Sequence, residues 1–297
     1  MGMHFDSLSL LCYGFLYLSI LSLWLPRALE FRIPVIFLIL SIIFAFLSQI
    51  IKPIAIIPIV LLPAAVYYSQ IKTNRFVTIF SYAVVVLLGI GLTEHWIPGF
   101  HNLKILNQVH ISNDAIPYTL YLNFDKALIG IFILGIAYRL ISGKKEWIKV
   151  LKQTVLPLLA IILILMLVAV FLGFVRFEPK LPNSLPLWII TNLLFDCVAE
   201  EALFRGFIQR NLSIRMRKIV YGNYLAIICT SILFGLIHYP GGIKYMLLAT
   251  VAGIGYGWIF DRTKRIESSI VAHFSLNLVH FIFFTYPMLA SAVYPIT

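Results

Sequence analysis

Charged residues are scarce in this chain of 297 residues, at 12% of the sequence, and acidic residues are scarcer than basic ones. An ordinary soluble domain carries roughly 25% charged residues, so the composition excludes that class. Hydrophobic residues make up 61% of the chain, which places it in a lipid bilayer. The net charge of +11 does not indicate a nucleic-acid partner, because the basic residues lie in short connections between apolar stretches, where they set membrane topology.

Cysteine is equally sparse, with three in the chain. Cys12, Cys197 and Cys229 each lie in an apolar run without CxxC spacing, so we expect packing residues that form neither a disulfide framework nor a metal site. Internal repeats and low-complexity linkers are also absent. These absences exclude a repeat array and a string of soluble domains, and they predict a single membrane domain.

Apolar stretches of about 20 residues, the length that crosses hydrocarbon as a helix, recur along the chain. They predict an all-α fold, a polytopic transmembrane helical bundle of about ten spans. The predicted spans are 8–26, 33–51, 54–71, 76–93, 127–142, 153–175, 185–204, 219–239, 243–260 and 268–290. The first is too long for a removable signal peptide and lacks a cleavage site, so we expect it to be retained. The flanking charges favour both termini outside.

Ionisable side chains within the spans are concentrated from Asp196 onward, where three acids and one arginine occur close together. Each would cost roughly 2.5 to 3.5 kcal/mol at the centre of a membrane helix, so pairing must offset most of the cost. Helical periodicity places Glu201 and Arg205 on one face, and Asp196 and Glu200 likewise share a face. Glu200 is thereby left without a cation on its own helix, which makes it the candidate general base.

Two later spans carry polar side chains at helical spacing. His238 follows Phe234 by one turn at the end of the eighth span, and His273 and Asn277 lie one turn apart in the tenth. Ionisable groups inside a membrane usually face a bundle interior or a cavity, so we expect these groups to converge with Glu200. Straight helices would place Glu200 and His238 near opposite membrane faces, so convergence requires tilted, offset or broken helices.

Local sequence features favour such an arrangement. Pro240, Gly241 and Gly242 predict an abrupt end to the eighth span. Gly253 and Gly257 form a small-xxx-small face that permits close helix approach.

Each polar group also has a structural interpretation. The charged cluster is also consistent with ion pairs that hold neighbouring helices together. A single histidine in a membrane helix is also consistent with a packing residue. We interpret Asp196 and His280 as bystanders of this kind.

The ordered set of motifs resembles the CPBP family of CAAX prenyl endopeptidases and bacteriocin-processing proteins. The motifs are Glu-Glu-x-x-x-Arg at 200–205, Phe-x-x-x-His at 234–238 and His-x-x-x-Asn at 273–277. The resemblance covers about a third of the chain, and what it implies is intramembrane peptide hydrolysis. By this resemblance Glu200 activates water with help from His238, while His273 and Asn277 stabilise the oxyanion and Glu201 with Arg205 forms a supporting ion pair. Residues 1–145 would then be an N-terminal transmembrane scaffold, and residues 146–297 a CPBP-like catalytic helical core.

No cofactor is favoured, although the resemblance leaves open a zinc ion held by Glu200, His238 and His273. Asn277 is a poor zinc ligand and HExxH is absent, so we favour a glutamate-dependent mechanism without metal. The absence of GxSG and GxGD argues against serine and aspartyl intramembrane proteases. The expected partners are a membrane-associated protein or peptide substrate and the lipid bilayer, with no nucleic acid. In a prokaryote the expected location is the inner (plasma) membrane.

Two other functions fit part of the pattern. A noncatalytic membrane binding protein, such as an immunity or assembly factor, should carry degraded motifs, yet all three motifs are intact here. A proton-coupled transporter also uses buried carboxylates and histidines, but it predicts matching broken helices in two related halves. The charged residues of the spans are instead concentrated in the final third of this chain.

Overall fold

The computed structural model describes residues 6–25 and 32–293, and most of these residues are helical. The first four helices are α1 (Ser7–Ser22), α2 (Arg32–Leu47), α3 (Ile56–Gln70) and α4 (Arg75–Thr93). Two strands follow, β1 (Leu103–Val109) and β2 (Tyr118–Leu122). The remaining helices are α5 (Phe124–Ala137), α6 (Lys144–Phe171), α7 (Leu185–Thr191), α8 (Val198–Glu201), α9 (Arg210–Arg215), α10 (Gly222–Ile237), α11 (Ile243–Thr263), α12 (Ile266–Phe283) and α13 (Ala290–Val293).

Five helical segments of the described residues are long and apolar enough to cross a membrane. They are Pro53–Gln70, Arg75–Thr93, Lys144–Phe171, Ile243–Thr263 and Ile266–Phe283. Three shorter apolar helices also coincide with predicted spans, at Ser7–Ser22, Ile33–Leu47 and Gly222–Ile237. The prediction of about ten spans is therefore not confirmed. The predicted first span ended at residue 26, which lies outside the described residues.

The other two predicted spans fall short for different reasons. The helix expected over 127–142 is α5, which has only 14 residues. The stretch expected over 185–204 runs as a series of short helical segments as far as Arg215. In both places the apolar composition indicates a buried helix but overestimates the length of regular α-helix.

The all-α prediction missed a two-stranded sheet formed by β1 and β2. A signal for it is present in β2, where Leu120 and Leu122 are buried and Tyr121 between them is exposed. Such alternation is typical of a strand, because successive side chains point to opposite faces. The stretch is also rich in aromatic residues, and by composition alone this is typical of a segment at the membrane interface.

The last predicted span, 268–290, ends earlier than expected. The helix α12 ends at Phe283, and Phe284 pairs with Phe177 in an isolated antiparallel bridge. Pro287 lies shortly afterwards, and a proline inside a helix would remove a hydrogen bond and clash with the preceding turn. The apolar composition continues through this region, but Pro287 prevents the backbone from continuing as a regular helix.

The chain forms two compact units, and each is built from separated stretches. The described residues of Met1–Ile105, Tyr121–Gly143 and Leu194–Gly206 form the first unit. Those of Leu106–Leu120, Lys144–Leu193 and Phe207–Thr297 form the second unit. The division into a scaffold over 1–145 and a catalytic core over 146–297 concerns function and stays a prediction.

In the first unit, α5 packs against α1, α3, α4 and α8. Most of its side chains are buried, as expected of a helix that is apolar on all sides. Gly130 permits the close approach of α5 to α8, since a Cβ atom at this position would lie 2.9 Å from Val198 Cγ1. Gly89 permits the close approach of α4 to Leu203, since a Cβ atom at Gly89 would lie 2.5 Å from Leu203 Cδ1.

In the second unit, α11 packs against α6, α10 and α12. The predicted close approach is confirmed at Gly257, where a Cβ atom would lie 2.6 Å from Gln209 Oε1. Gly235 on α10 makes a similar contact, since a Cβ atom there would collide with Thr250. The predicted break after α10 is also confirmed, because Gly242 adopts a φ of 91°, which a residue with a side chain rarely adopts.

The outside of α6 carries large apolar side chains that are exposed in the protein alone. They include Leu156, Leu159, Leu163, Leu167 and Phe171. An apolar exterior of this kind is the surface that lipid tails cover.

The cysteines only partly follow the prediction. Cys12 and Cys197 are buried, as expected of packing residues. Cys229 is exposed, so the packing interpretation is wrong for that residue.

Candidate active site

Glu200 and Glu201 lie in α8, one turn of α-helix between two π-helical segments. The segments are Asn192–Cys197 and Ala202–Gln209. A π-helical turn shifts the hydrogen-bond ladder from i−4 to i−5, and such turns are frequent at functional sites. The helix around Glu200 is therefore irregular.

Glu201 and Arg205 form the ion pair that their spacing predicts. Arg205 Nη1 donates to Glu201 Oε1 at 3.0 Å, and both side chains are completely buried. A buried pair contributes little net stability, but removal of either partner leaves a charge without its counterion in a dry environment. We therefore expect the first unit to lose stability when one partner alone is removed.

Lys126, in the first turn of α5, supplies a cation to Glu200 that the sequence interpretation missed. Its Nζ donates to Asp196 Oδ1 and to Glu200 Oε1, both at 3.2 Å. The side chains of Lys126 and Glu200 are only 14% and 8% exposed. We call Asp196, Glu200, Glu201, Arg205 and Lys126 the carboxylate cluster. Asp196 is thus part of this cluster, although it was expected to be a bystander.

The only sequence signal for Lys126 was its position directly before the predicted span 127–142. A lysine at that position is typical of a charge that sets topology, and it falls within the predicted scaffold, residues 1–145.

Glu94, immediately after α4, adds a further carboxylate near the cluster. Burial raises the pKa of the Glu94 carboxyl above its ordinary value. The charge of Lys126 lowers this pKa and that of Glu200 raises it, so Glu94 is electrostatically coupled to both. No motif marked this residue in the sequence.

The second unit contains a pocket that we call the histidine pocket. Its polar lining consists of His238, His273, Asn277 and His280. Aromatic and aliphatic side chains from α6, α10, α11 and α12 form most of its remaining wall. His280, which was expected to be a bystander, therefore lies on the same pocket as the predicted residues.

His238 is oriented by the backbone of its own helix. Its Nδ1 lies 2.7 Å from the carbonyl oxygen of Phe234. Because a carbonyl oxygen only accepts, Nδ1 is the donor, and neutral His238 then carries its lone pair on Nε2. This tautomer suits a side chain that accepts a hydrogen bond from water.

His273 is held by aromatic rings. Its ring stacks on Tyr256 at a centroid distance of 4.8 Å and an interplanar angle of 18°. Phe234 contacts both histidines, with centroid distances of 5.8 Å to His273 and 4.6 Å to His238. The phenylalanine of the Phe-x-x-x-His motif therefore packs between the two imidazoles.

Asn277 is positioned by a second amide. Its Nδ2 donates to Asn192 Oδ1 at 3.2 Å, and Asn192 is the first residue of a π-helical segment. No motif marks Asn192 in the sequence. A polar amide within an apolar run is the signal that could have identified it.

The predicted site residues thus fall into two groups. Glu200, Glu201 and Arg205 belong to the first unit, and His238, His273 and Asn277 belong to the second. The convergence of the two groups, and the catalytic role of each residue, stay predictions. No group of three or more His, Cys, Asp or Glu side chains is arranged to hold a metal among residues 6–25 and 32–293. The mechanism without metal stays the prediction, and zinc bound by Glu200, His238 and His273 stays the alternative that a direct metal measurement tests.

Comparison with known proteins agrees with the resemblance seen in the motifs. Residues 182–279 match the family of Type II CAAX prenyl endopeptidases described as Rce1-like. The Bacillus subtilis (strain 168) protein YdiL, which is named provisionally as a membrane peptidase, is 30% identical over 102 residues. This alignment covers 32% of the present chain and 36% of YdiL, about a third of each. No solved structure gives a significant match.

The matched segment contains all six predicted site residues. The resemblance to the CAAX endopeptidases is confirmed over residues 182–279. Together with the apolar helices, it points to an integral membrane protein.

Proposed function

We propose that this protein is an intramembrane endopeptidase that hydrolyses peptide bonds of membrane-associated proteins or peptides. The observation that carries the proposal is the chemistry found within the matched segment. This segment contains a buried carboxylate at Glu200 and a pocket lined by His238, His273 and Asn277. These groups supply a proton acceptor and hydrogen-bond donors for a developing oxyanion, which peptide hydrolysis requires.

In the proposed reaction, Glu200 accepts a proton from a water molecule as the water oxygen attacks the scissile carbonyl carbon. The carbonyl π electrons move to oxygen and give a tetrahedral oxyanion. Collapse of this intermediate breaks the C–N bond, and the proton held by Glu200 passes to the departing amine. The products are a carboxylic acid and an amine, and Glu200 returns to its carboxylate form. No covalent enzyme intermediate is formed.

In this proposal the residues of the histidine pocket orient the attacking water and stabilise the negative charge of the oxyanion. His238, whose Nδ1 is engaged by Phe234, accepts a hydrogen bond from the attacking water through Nε2. His273 and Asn277 donate N–H groups to the oxyanion, and the Asn192 contact holds the Asn277 amide in one orientation. Donors fixed in advance stabilise developing charge more effectively than donors that must reorganise.

Zinc would supply Lewis-acid activation of water, but among the described residues no group of three ligand side chains is arranged to hold a metal. Glu200, His238 and His273 are the side chains of suitable type. Elemental analysis of the purified protein, with activity measured before and after chelation, distinguishes the two mechanisms. We expect no stoichiometric metal and no loss of activity on chelation.

The experiment that tests the function compares membrane-protein fragments in cells. One culture expresses the wild type, a second expresses Glu200→Gln at matched abundance, and a third expresses Glu146→Gln as the control. Glu146 is an exposed glutamate in the first turn of α6, so its substitution makes the same chemical change on the surface. We expect fragments that disappear only with Glu200→Gln, and these would identify the substrates.

An identical fragment pattern in all three cultures, with the protein folded and abundant, would contradict the proposal. It would favour the noncatalytic binding function. In a prokaryote we propose the inner membrane as the location, which fractionation of the same cultures tests.

A further inference from the structure

The Lys126 ammonium lies between two carboxylates, and this contact is not part of the sequence match. Lys126 precedes the matched segment 182–279 by more than fifty residues, whereas Asp196 and Glu200 lie within it. The two distances from Nζ are equal at 3.2 Å, and the Glu200 carboxylate is nearly buried. Helix α5 therefore contributes a charged group directly to the proposed general base.

The first turn of α5 is held by a hydrogen-bond network next to Lys126. Asp125 is 1% exposed, and its carboxylate accepts from Asn102 Nδ2 at 2.8 Å and lies 2.7 Å from His95 Nδ1. Asn102 in turn accepts from the backbone N–H of Phe124 at 2.9 Å. This network fixes the start of the helix, and hence the backbone from which the Lys126 side chain extends.

One turn later, Gly130 fixes the distance between α5 and α8. A Cβ atom at Gly130 would lie 2.9 Å from Val198 Cγ1 and 3.5 Å from the Ala199 backbone nitrogen. Positions 126 and 130 share a helical face, so the close approach at Gly130 brings Lys126 within reach of Glu200. The polar network around Asp125 and the close contact at Gly130 thus both fix the position of the Lys126 side chain.

We propose that Lys126 is a positioning residue for the reaction, and that it holds the Glu200 carboxylate in the orientation from which it accepts the proton of water. The inference rests on the proposed function. A carboxylate has rotational freedom about its side-chain torsions, and a fixed donor to one of its oxygens removes part of it. Catalytic groups held by such contacts require little reorganisation when the reaction occurs, and small displacements reduce the rate greatly.

The alternative is that Lys126 only balances charge so that the first unit folds. The double variant Lys126→Met/Asp196→Asn separates the two roles. It removes one positive and one negative charge, so the net charge of the carboxylate cluster is unchanged while the contact to Glu200 is lost. Lys126→Arg keeps the charge and a donor, and Lys149→Met is the control at an exposed lysine.

The test measures kcat and KM of full-length purified variants on a peptide that spans a cleavage site found by the fragment comparison. We expect the double variant to lose up to about 100-fold in kcat with little change in KM. Lys126→Arg keeps the charge, but its planar guanidinium places the donors differently from an ammonium, so we expect it to fold and to lose about tenfold in kcat. Lys149→Met should keep the full wild-type kcat. A folded double variant with wild-type kcat would show that Lys126 only balances charge, and it would overturn the inference.

Glu200→Gln in the same assay separates failure of the inference from failure of the proposed function. If Glu200→Gln is inactive and the double variant is fully active, the function stands and the role of Lys126 is wrong. If Glu200→Gln retains wild-type activity, the assigned base is wrong and the inference fails with it. If the double variant does not fold, a wild-type melting temperature and a reduced kcat for Lys126→Arg would support positioning. An unchanged kcat for a folded Lys126→Arg, together with loss of folding in the double variant, would contradict it.

Discussion

The carboxylate cluster and the histidine pocket both place polar side chains inside an apolar protein, but they use different partners. In the carboxylate cluster, Arg205 and Lys126 neutralise carboxylates at 3.0 and 3.2 Å. In the histidine pocket, His273 stacks on Tyr256, and His238 is bound to a carbonyl oxygen of its own helix.

The difference follows from the cost of burial. A carboxylate is charged and needs a counterion, whereas a neutral imidazole needs only a hydrogen bond and a flat apolar neighbour. Substitutions in the carboxylate cluster should therefore affect both folding and chemistry. Substitutions in the histidine pocket should affect chemistry with smaller losses of stability.

The largest effect is expected for Glu200→Gln. General-base catalysis contributes roughly 10² to 10⁴ to a rate, so we expect kcat to fall by a factor in this range with KM nearly unchanged. Steady-state kinetics on an identified peptide measures both constants, and Glu146→Gln is the matched control. Equal kcat values for the two variants would show that the carboxylate cluster is only structural.

The next effect concerns the histidine pocket. Asn277→Ala removes a donor to the proposed oxyanion, and loss of one such donor costs about 10² to 10³ in kcat. Its melting temperature should stay close to that of the wild type, because no buried charge loses its partner. A large fall in melting temperature with kcat retained would reverse the expected contrast between the two regions.

Stability should respond most strongly at Arg205. In Arg205→Met, the Glu201 carboxylate is left buried without its counterion, so we expect a loss of about 3 to 5 kcal/mol in the free energy of unfolding. The double variant Glu201→Gln/Arg205→Met should recover much of this loss. Reversible unfolding in mixed detergent micelles measures both. Equal stabilities of Arg205→Met and the wild type would contradict the assigned role of the pair.

A smaller effect is expected from Phe234→Leu, which removes the ring that contacts both histidines. We expect kcat to fall about tenfold, because the imidazoles lose part of their orientation, and KM to change little. Phe283→Leu is the control, since Phe283 is an exposed phenylalanine on α12. Equal losses of kcat in the two variants would mean that the contact of Phe234 with the histidines has no specific role.

The smallest effect concerns Glu94, whose pKa is raised by burial. A carboxyl with a raised pKa in the folded state favours folding when protonated, and this advantage is lost as the pH rises through the folded-state pKa. Glu94→Gln should therefore be slightly more stable than the wild type at neutral pH. The difference should vanish below 4.5, the ordinary pKa of the group. Melting temperatures of both proteins, measured from neutral pH to below pH 4.5, give this difference in stability. A difference that does not depend on pH would contradict the raised pKa of Glu94.

The two regions also differ in how far the sequence could predict them. Contacts between residues one helical turn apart were predictable, such as the Glu201 to Arg205 pair, because helical periodicity determines them. The Lys126 contact was not predictable, because it joins helices that lie seventy residues apart in sequence. The same limit applies to Asn192 and Asn277, which depend on the tertiary packing of distant segments.

Irregular backbone structure was the second feature that could not be predicted from the sequence. Hydropathy predicted a membrane helix over 185–204 but gave no sign of the π-helical segments on either side of α8. These segments depend on hydrogen-bond alignment along the backbone, and composition does not record it. The break at Gly242 was predictable because proline and glycine have strong local preferences.

The most direct test of the central claim is hydrolysis of an identified peptide by the purified protein in water enriched in the heavy isotope of oxygen. We predict that the new C-terminal carboxylate carries heavy oxygen, and that its formation is lost in Glu200→Gln but kept in Glu146→Gln. Absence of labelled product with the wild type, or equal labelling by wild type and Glu200→Gln, would contradict the proposal that this protein is a glutamate-dependent intramembrane peptidase.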